Sequence, residues 1–309
     1  MRTLTAIAAL LLSVCAAAPA SAQQNYPNQP VRMIVTTGAG GAPDVIARIV
    51  AEGLSKHWNQ QVFVTNHPGA AGSIGLRAVA AAKPDGQTLF VAVGTNVIIN
   101  PHVQKGMIDT ISSLAPVCQI TDYQYVLVVG NSVPARNAAE LVAMAKKDPE
   151  KLTYSSSGVG GNNHLAGALF AKAAGIQITH VPYKGTGPAV ADVISGRVEL
   201  SFASPIYVFP LMGGGKVKAL AISGTQRLAS MPDVPTFTEA GIPGMQDYTW
   251  TGVFLPAGTP AAIVQRHNEA INRILQMPDI RDRLDVQALE VVGGTSAQFT
   301  DYVRAEIAK

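Results

Sequence analysis

A chain of 309 residues that is 48% apolar is long enough for a sizeable core and favours two α/β lobes over one. Its 23 Lys and Arg against 20 Asp and Glu leave a net charge of +3, too even for a nucleic-acid binder, and no basic block stands out. Residues 1–22 read as an export leader: Arg2 is the positive start, residues 4–14 are apolar, and Ala20-Ser21-Ala22 is a small-residue cleavage site. Cys15 falls inside that leader. Val14 precedes it where a lipid-attachment signal calls for a small residue, so no membrane anchor is expected. Cys118 is then the one cysteine of the mature chain, and a disulfide-free exported protein fits a periplasm. No other run approaches the ~18 apolar residues of a membrane span.

Residues 31–49 read VRMIVTTGAGGAPDVIARI. The apolar run at 31–35 marks a buried strand. Gly38, Gly40 and Gly41 allow a sharp turn. Pro43 and Asp44 suit the first turn of a helix, whose apolar face is Ile46, Ile49, Val50, Gly53 and Leu54. Strand, glycine turn and helix start together form a cradle of N–H groups suited to phosphate, sulfate or carboxylate. The loop lacks the third glycine of G-x-G-x-x-G and the Lys-Ser/Thr of a P-loop, so a carboxylate suits it at least as well as a nucleotide. A plain tight turn that binds nothing is the competing reading.

A strand at 62–65 leads to a second glycine-rich loop from Asn66 to Ser73 and a helix carrying Ile74, Ala78, Val79 and Ala82. A third strand, 88–93, ends at Gly94-Thr95-Asn96. Alternation of strand and helix gives mostly parallel sheets, with the loops beginning at Thr36, Asn66 and Gly94 on one edge. Runs at 114–120 and 125–129 have no helix between them and carry the chain from one lobe to the next. After a helix at 138–147 and a strand at 151–154, Ser155-Ser156-Ser157-Gly158-Val159-Gly160-Gly161-Asn162-Asn163-His164 repeats the first cradle. Two cradles in two lobes suggest one anion held between them. A strand at 176–181 ends at Pro182-Tyr183-Lys184-Gly185, Pro188 starts a helix, and strands follow at 198–202 and 217–222. Residues 232–244 form a connection, a strand at 249–255 returns to the first lobe, and helices are expected over 260–276, 278–289 and 296–308. The lobes are thus 23–124 with 250–309, and 125–249.

Chemistry is poorly provided for. There is no G-x-S-x-G and no H-E-x-x-H, and the six histidines show no metal-ligand spacing. Ser155 to Ser157 with His164 would make a nucleophile and base, but no acidic orienter accompanies them. No cofactor and no metal are expected. Asp44 reads first as a cap of its own helix, His164 equally as a ligand donor or a packed ring, and Tyr183 as cleft-lining. Lys184 reads as solvated, and Cys118 as a small buried hydrophobe. Tyr248 and Trp250 serve lobe packing at least as well as ligand stacking.

Ten segments in order, among them GAGGAPDVIAR, NHPGAAGSIG, LTYSSSGVGGNNHLAGALF, HVPYKGTGPAVADVISGRVEL and PDVPTFTEAG, resemble the periplasmic receptors of tripartite tricarboxylate transporters, the Bug or TctC-like solute-binding proteins. The resemblance covers essentially the whole mature chain. It implies a two-lobed type II periplasmic binding protein, a Venus flytrap, with each lobe a mostly parallel sheet flanked by helices. It implies a small di- or tricarboxylate, or a related acid, delivered to membrane transporter subunits by a monomer that does no chemistry. Carried over by position, the ligand-binding set is Gly38, Ala39, Gly40, Gly41 and Asp44 in the first loop and Ser155, Gly158, Gly160, Asn162 and His164 in the second, with Thr95 and Tyr183 lining the cleft. Thr37 is in the same set; Thr36-Thr37 stands where the family usually has Pro-Phe, so hydroxyls replace an aromatic wall. Ala203-Ser204 stands where it usually has Asp-Asn. A ligand sensor for a membrane signalling kinase would look identical, and an α/β hydrolase is the remaining rival.

Overall fold

The computed structural model describes residues 26–103, 108–246 and 248–308, so the leader expected over 1–22 lies outside the described residues. The chain opens with β1 (Val31–Val35), α1 (Ala42–Trp58), β2 (Val62–Asn66), α2 (Ser73–Ala80), β3 (Thr88–Val93), α3 (Asn100–Val103), α4 (Thr110–Ser113) and β4 (Leu114–Gln124). It continues through β5 (Val126–Gly130), α5 (Ala138–Lys147), β6 (Thr153–Ser156), α6 (Asn162–Ala174), β7 (Thr179–Pro182), α7 (Thr186–Ile194), β8 (Leu200–Ala203), α8 (Pro205–Gly213) and β9 (Val217–Ile222). It closes with β10 (Tyr248–Pro256), α9 (Ala261–Leu275), α10 (Pro278–Asp285), β11 (Glu290–Gly293) and α11 (Ser296–Ala308).

Two sheets result, ordered β11-β4-β10-β3-β1-β2 and β7-β6-β8-β5-β9. Parallel pairing in each is narrower than the alternation of strand and helix suggested. It joins β1 to β2 and β3, and β6 to β7 and β8. Strands β10 and β5 pair antiparallel with both their neighbours. The reason is connectivity: these two strands start just after the chain crosses between sheets, so no crossover helix sets their direction.

The apolar run of β1 is buried on both faces, with Val31, Met33, Ile34 and Val35 fully enclosed, as a central strand between helix layers requires. The predicted face of α1 is its buried face. Gly53 on that face lets α9 and α10 approach closely, since a Cβ there would stand 3.1 Å from Ile274 and 3.4 Å from Ile280. Cys118 is fully buried, and burial pushes its thiol up to about 12.

The first crossing is a single residue, and the return runs over 223–247. Tyr125 alone separates β4 from β5, and its backbone exchanges hydrogen bonds with Ser223 just after β9: Tyr125 N–H donates to Ser223 Oγ and Ser223 N–H to Tyr125 O, both at 2.9 Å. At the return crossing, Thr225 N–H donates to the Tyr248 hydroxyl at 2.8 Å.

A second consequence of burial concerns acid stability. His267 is fully enclosed, with Nε2 2.6 Å from the Tyr26 hydroxyl, which itself donates to Gly86 O at 2.6 Å. Burial pushes the His267 ring down to about 4, and burial together with neighbouring His164 does the same to His180. Each ring binds its proton more readily in the unfolded chain. Folding stability should therefore hold above the ordinary histidine value near pH 6.5 and fall as pH drops from there toward 4. Urea midpoints at pH 7.5, 5.5 and 4.5 should descend in that order; a flat series would show that these rings do not stay neutral in the fold.

Candidate functional site

The parallel strands β1, β3, β6 and β8 end in four segments: residues 36–41, 94–96, 157–161 and 203–204. The first and third are copies of each other, 120 positions apart. Gly40 and Gly160 have φ of 79° and 80°, a backbone region costly for side chains other than glycine. Gly41 and Gly161 precede their helices in matching extended conformations. Gly41 N–H donates to Gly38 O at 3.1 Å, and Gly161 N–H to Gly158 O at 3.2 Å.

The first loop is held from below by Asp44. Its carboxylate is 2% exposed and accepts from Gly40 N–H at 2.9 Å, from Asn66 Nδ2 at 2.8 Å, and from a two-pronged Arg48 at 2.9 and 3.0 Å. Burial on its own would raise this carboxyl; the Arg48, Gly40 and Asn66 bonds outweigh that and hold it below its ordinary value. Asn66 Nδ2 also donates to Thr37 O at 2.9 Å. Asp44 is thus spent on shaping the loop, the capping side of its two sequence readings. Thr36 Oγ1 donates to Asn96 Oδ1 at 2.8 Å, which ties the loop to the end of β3. Gly38, Ala39 and Gly40 are partly or fully exposed at the rim.

In the second loop His164 takes the place that Asp44 holds in the first: its Nδ1 accepts from Gly160 N–H at 3.3 Å. Burial holds the ring below its ordinary pKa, which keeps that nitrogen an acceptor. The ring packs 4.2 Å from His180 and 6.4 Å from Tyr154, centroid to centroid. Ser155 lies inside the sheet, where its hydroxyl donates to Ala189 O at 3.0 Å. Tyr183 turns its hydroxyl onto its own lobe, donating to Asp192 at 2.6 Å, and burial with the Asp192 carboxylate pushes it up to about 12. The Ser155 hydroxyl is thus turned into its own sheet and that of Tyr183 onto its own lobe, while the Tyr183 backbone runs beside the second loop, its N–H donating to Ser156 O at 2.9 Å.

Asn162 is what joins the two lobes. Thr95 Oγ1 donates to its Oδ1, and its Nδ2 donates to Thr249 Oγ1. β10 starts at Tyr248 and belongs to the six-stranded sheet, so Thr249, which the expected boundary at 249/250 leaves in the second lobe, stands with the first, and one side chain of the second lobe reaches both the end of β3 and the start of β10. A second cross-lobe bond runs from the Tyr207 hydroxyl on α8 to Gly40 O. Thr249 and Tyr207 were not legible as site residues, although Pro205 directly after Ser204 is the ordinary mark of a helix start and would have placed α8. Asn162→Ala removes both halves of its bridge. The variant should show a larger radius of gyration in solution scattering than the parent and about tenfold weaker ligand binding; an unchanged radius would mean that Asn162 does not hold the lobes together.

Two sheets joined at two places, with helix starts facing each other across the gap, define a two-lobed solute-binding protein. Residues 46–309 match the family model described as the tripartite tricarboxylate transporter family receptor, TctC, and the chain belongs to that family. It is 32% identical over 313 residues to the Bordetella pertussis protein BugT, covering 99% of this chain and 94% of that one. Among solved structures it is similar to R. palustris Rpa4515 with adipate (TM-score 0.89, 32% identity, 92% of this chain and 95% of that one). It is also similar to MatC from Rhodopseudomonas palustris with bound malate (TM-score 0.87, 29% identity, 92% and 98%).

Proposed function

We propose that this chain is a periplasmic receptor that captures a small di- or tricarboxylate between the lobes 23–124 with 250–309 and 125–249, and hands it to the membrane subunits of a tripartite transporter. The observation that carries this reading is the first cradle. A glycine loop at the end of a parallel strand and the start of α1 is locked in shape by buried Asp44, with its rim exposed toward the second lobe. Backbone N–H groups at a helix start hold an anion by charge-assisted bonds. The adipate and malate carried by the related structures are acids of the size this reading calls for.

Closure follows from population shift: a ligand that touches both lobes only when they meet stabilises the closed form. The receptor works as a monomer, and the transporter reads the closed shape. We also infer that it turns nothing over. A serine–histidine contact does exist, Ser156 Oγ to His180 Nε2 at 2.6 Å, but Ser156 is fully buried and its oxygen also lies 3.1 Å from both Gly158 N and Gly158 O. That contact serves the loop's shape.

The test is a thermal-shift screen of the purified protein against adipate, malate, succinate, citrate, glutamate and benzoate. At least one acid should raise the melting temperature in a saturable way, since anything that binds only the folded state stabilises it. No shift with any acid, or conversion of one to a new product, would contradict the reading.

A further inference from the structure

The two cradles match in sequence and backbone, but not in what fills them. In the second, Asn163 folds back over its own loop, and its Oδ1 accepts from Ser157 N–H at 3.2 Å and from Ser157 Oγ at 3.0 Å. The His164 bond to Gly160 N–H matches that of Asp44 to Gly40 N–H, so the difference between the loops lies at Asn163. The position matching Asn163 in the first loop is Pro43, which has no side-chain acceptor. Thr37 Oγ1, the counterpart of Ser157 Oγ, is accordingly enclosed without a hydrogen-bond partner.

A second hydroxyl in the same condition lies in the other lobe. Ser204 is 5% exposed, and its Oγ has no partner. It directly precedes α8, a helix of nine residues, in an extended conformation that usually allows a serine to cap, yet its side chain makes no capping bond. The first turn of α8 is held against the first cradle, because Tyr207, three residues on, donates across the gap to Gly40 O. Two enclosed hydroxyls without partners, one per lobe, thus stand on segments that touch. A buried hydroxyl left unpaired is expensive, and such groups are retained where something else completes them.

We propose that the second lobe meets the ligand through Ser204 and the start of α8, and that the ligand is a dicarboxylate with one carboxylate on the 37–41 loop and the other at Ser204. This rests on the receptor reading above. A helix start suits a carboxylate, and a serine hydroxyl unused by its own helix is a donor ready for it. In the 157–164 loop Asn163 covers Ser157, and Asn162 joins the lobes.

The experiment is titration calorimetry with two pairs of acids matched in carbon number, adipate against hexanoate and succinate against butyrate. The parent should bind the dicarboxylate of at least one pair about tenfold tighter than its monocarboxylate partner. Ser204→Ala should remove most of that preference, leave monocarboxylate binding within about twofold, and not lower the melting temperature of the ligand-free protein, since the lost hydroxyl had no partner. Ser204→Asp should drive the dicarboxylate below its partner by like-charge repulsion. Equal binding within both pairs by the parent, or a preference that survives Ser204→Ala, would overturn the proposal while leaving the receptor reading intact. Failure of all four acids together with every acid of the thermal-shift panel would overturn both.

Discussion

Gly41→Val is expected to abolish the thermal shift given by the best carboxylate while leaving the ligand-free protein folded. Gly41 has φ −63° and ψ 153°, a conformation open to any residue, so the substitution brings no backbone strain. The difficulty is space. A Cβ at this position would lie 2.8 Å from Thr37 Oγ1, 3.1 Å from Thr37 Cβ and 3.2 Å from Gly38 O. Thr37 and Gly38 must move outward, into the cradle itself. Overpacking of this kind costs about 1–3 kcal/mol of stability, and affinity falls because the displaced Thr37 and Gly38 no longer hold the shape of the cradle. The melting temperature without ligand should fall by a few degrees, well short of unfolding the protein. A variant that keeps the parent's ligand-induced shift would remove the first loop from the site.

Asp44→Ala should lower stability through the first loop. It removes the acceptor shared by Gly40 N–H, Asn66 Nδ2 and the Arg48 guanidinium. Arg48 is half exposed and recovers hydration, Asn66 Nδ2 keeps its bond to Thr37 O, and Gly40 lies at the exposed rim, so the cost is about 1–2 kcal/mol in all. Asp44→Asn retains an acceptor for Gly40 N–H and should lose less. Denaturant midpoints of the three proteins should therefore run parent, Asn, Ala in descending order, and ligand affinity should follow them. The Asp44 carboxyl is held below its ordinary value, so its contribution persists at every pH above the ordinary carboxylate range. It should disappear only as pH falls through that range and below. If Asp44→Ala binds as tightly as the parent, the loop does not depend on Asp44 for its shape.

What was legible in the sequence follows a physical divide. Elements whose signal is local came through: the buried strand β1, the apolar face of α1, the glycine turn and its repeat at 155–164. Each rests on hydrophobic period, on proline and glycine punctuation, or on a helix start. Elements defined by a partner did not. The four-residue strand β11 pairs at the edge of its sheet with β4 and carries too few residues to show a period, so its approach was absorbed into an expected helix over 278–289 that ends instead at Asp285. Helix α8 is apolar almost throughout and has no polar face to give it a helical stripe. The direction of β5 and β10 depends on how the chain crosses between sheets, a property of topology.

The same divide runs through the candidate site. Glycines and the acid in the helix's first turn could be named because the loop's shape demands them. Whether a side chain at that loop faces a ligand or its own protein depends on distant neighbours. Ala189 claims Ser155, Asp192 claims Tyr183, and Asn163 claims Ser157. Tyr207 and Thr249 enter only because the lobes meet. No pattern near either residue encodes the partner that each finds 167 and 87 positions away.

The most direct measurement is a crystal structure of the protein grown with the acid that gives the largest thermal shift. One carboxylate of that acid should lie within hydrogen-bond distance of backbone N–H groups at residues 37–39, since Gly40 N–H is held by Asp44 and Gly41 N–H by Gly38 O, with the lobes joined by Asn162 and Tyr207. An acid seated elsewhere, with that loop left bare, would contradict the account.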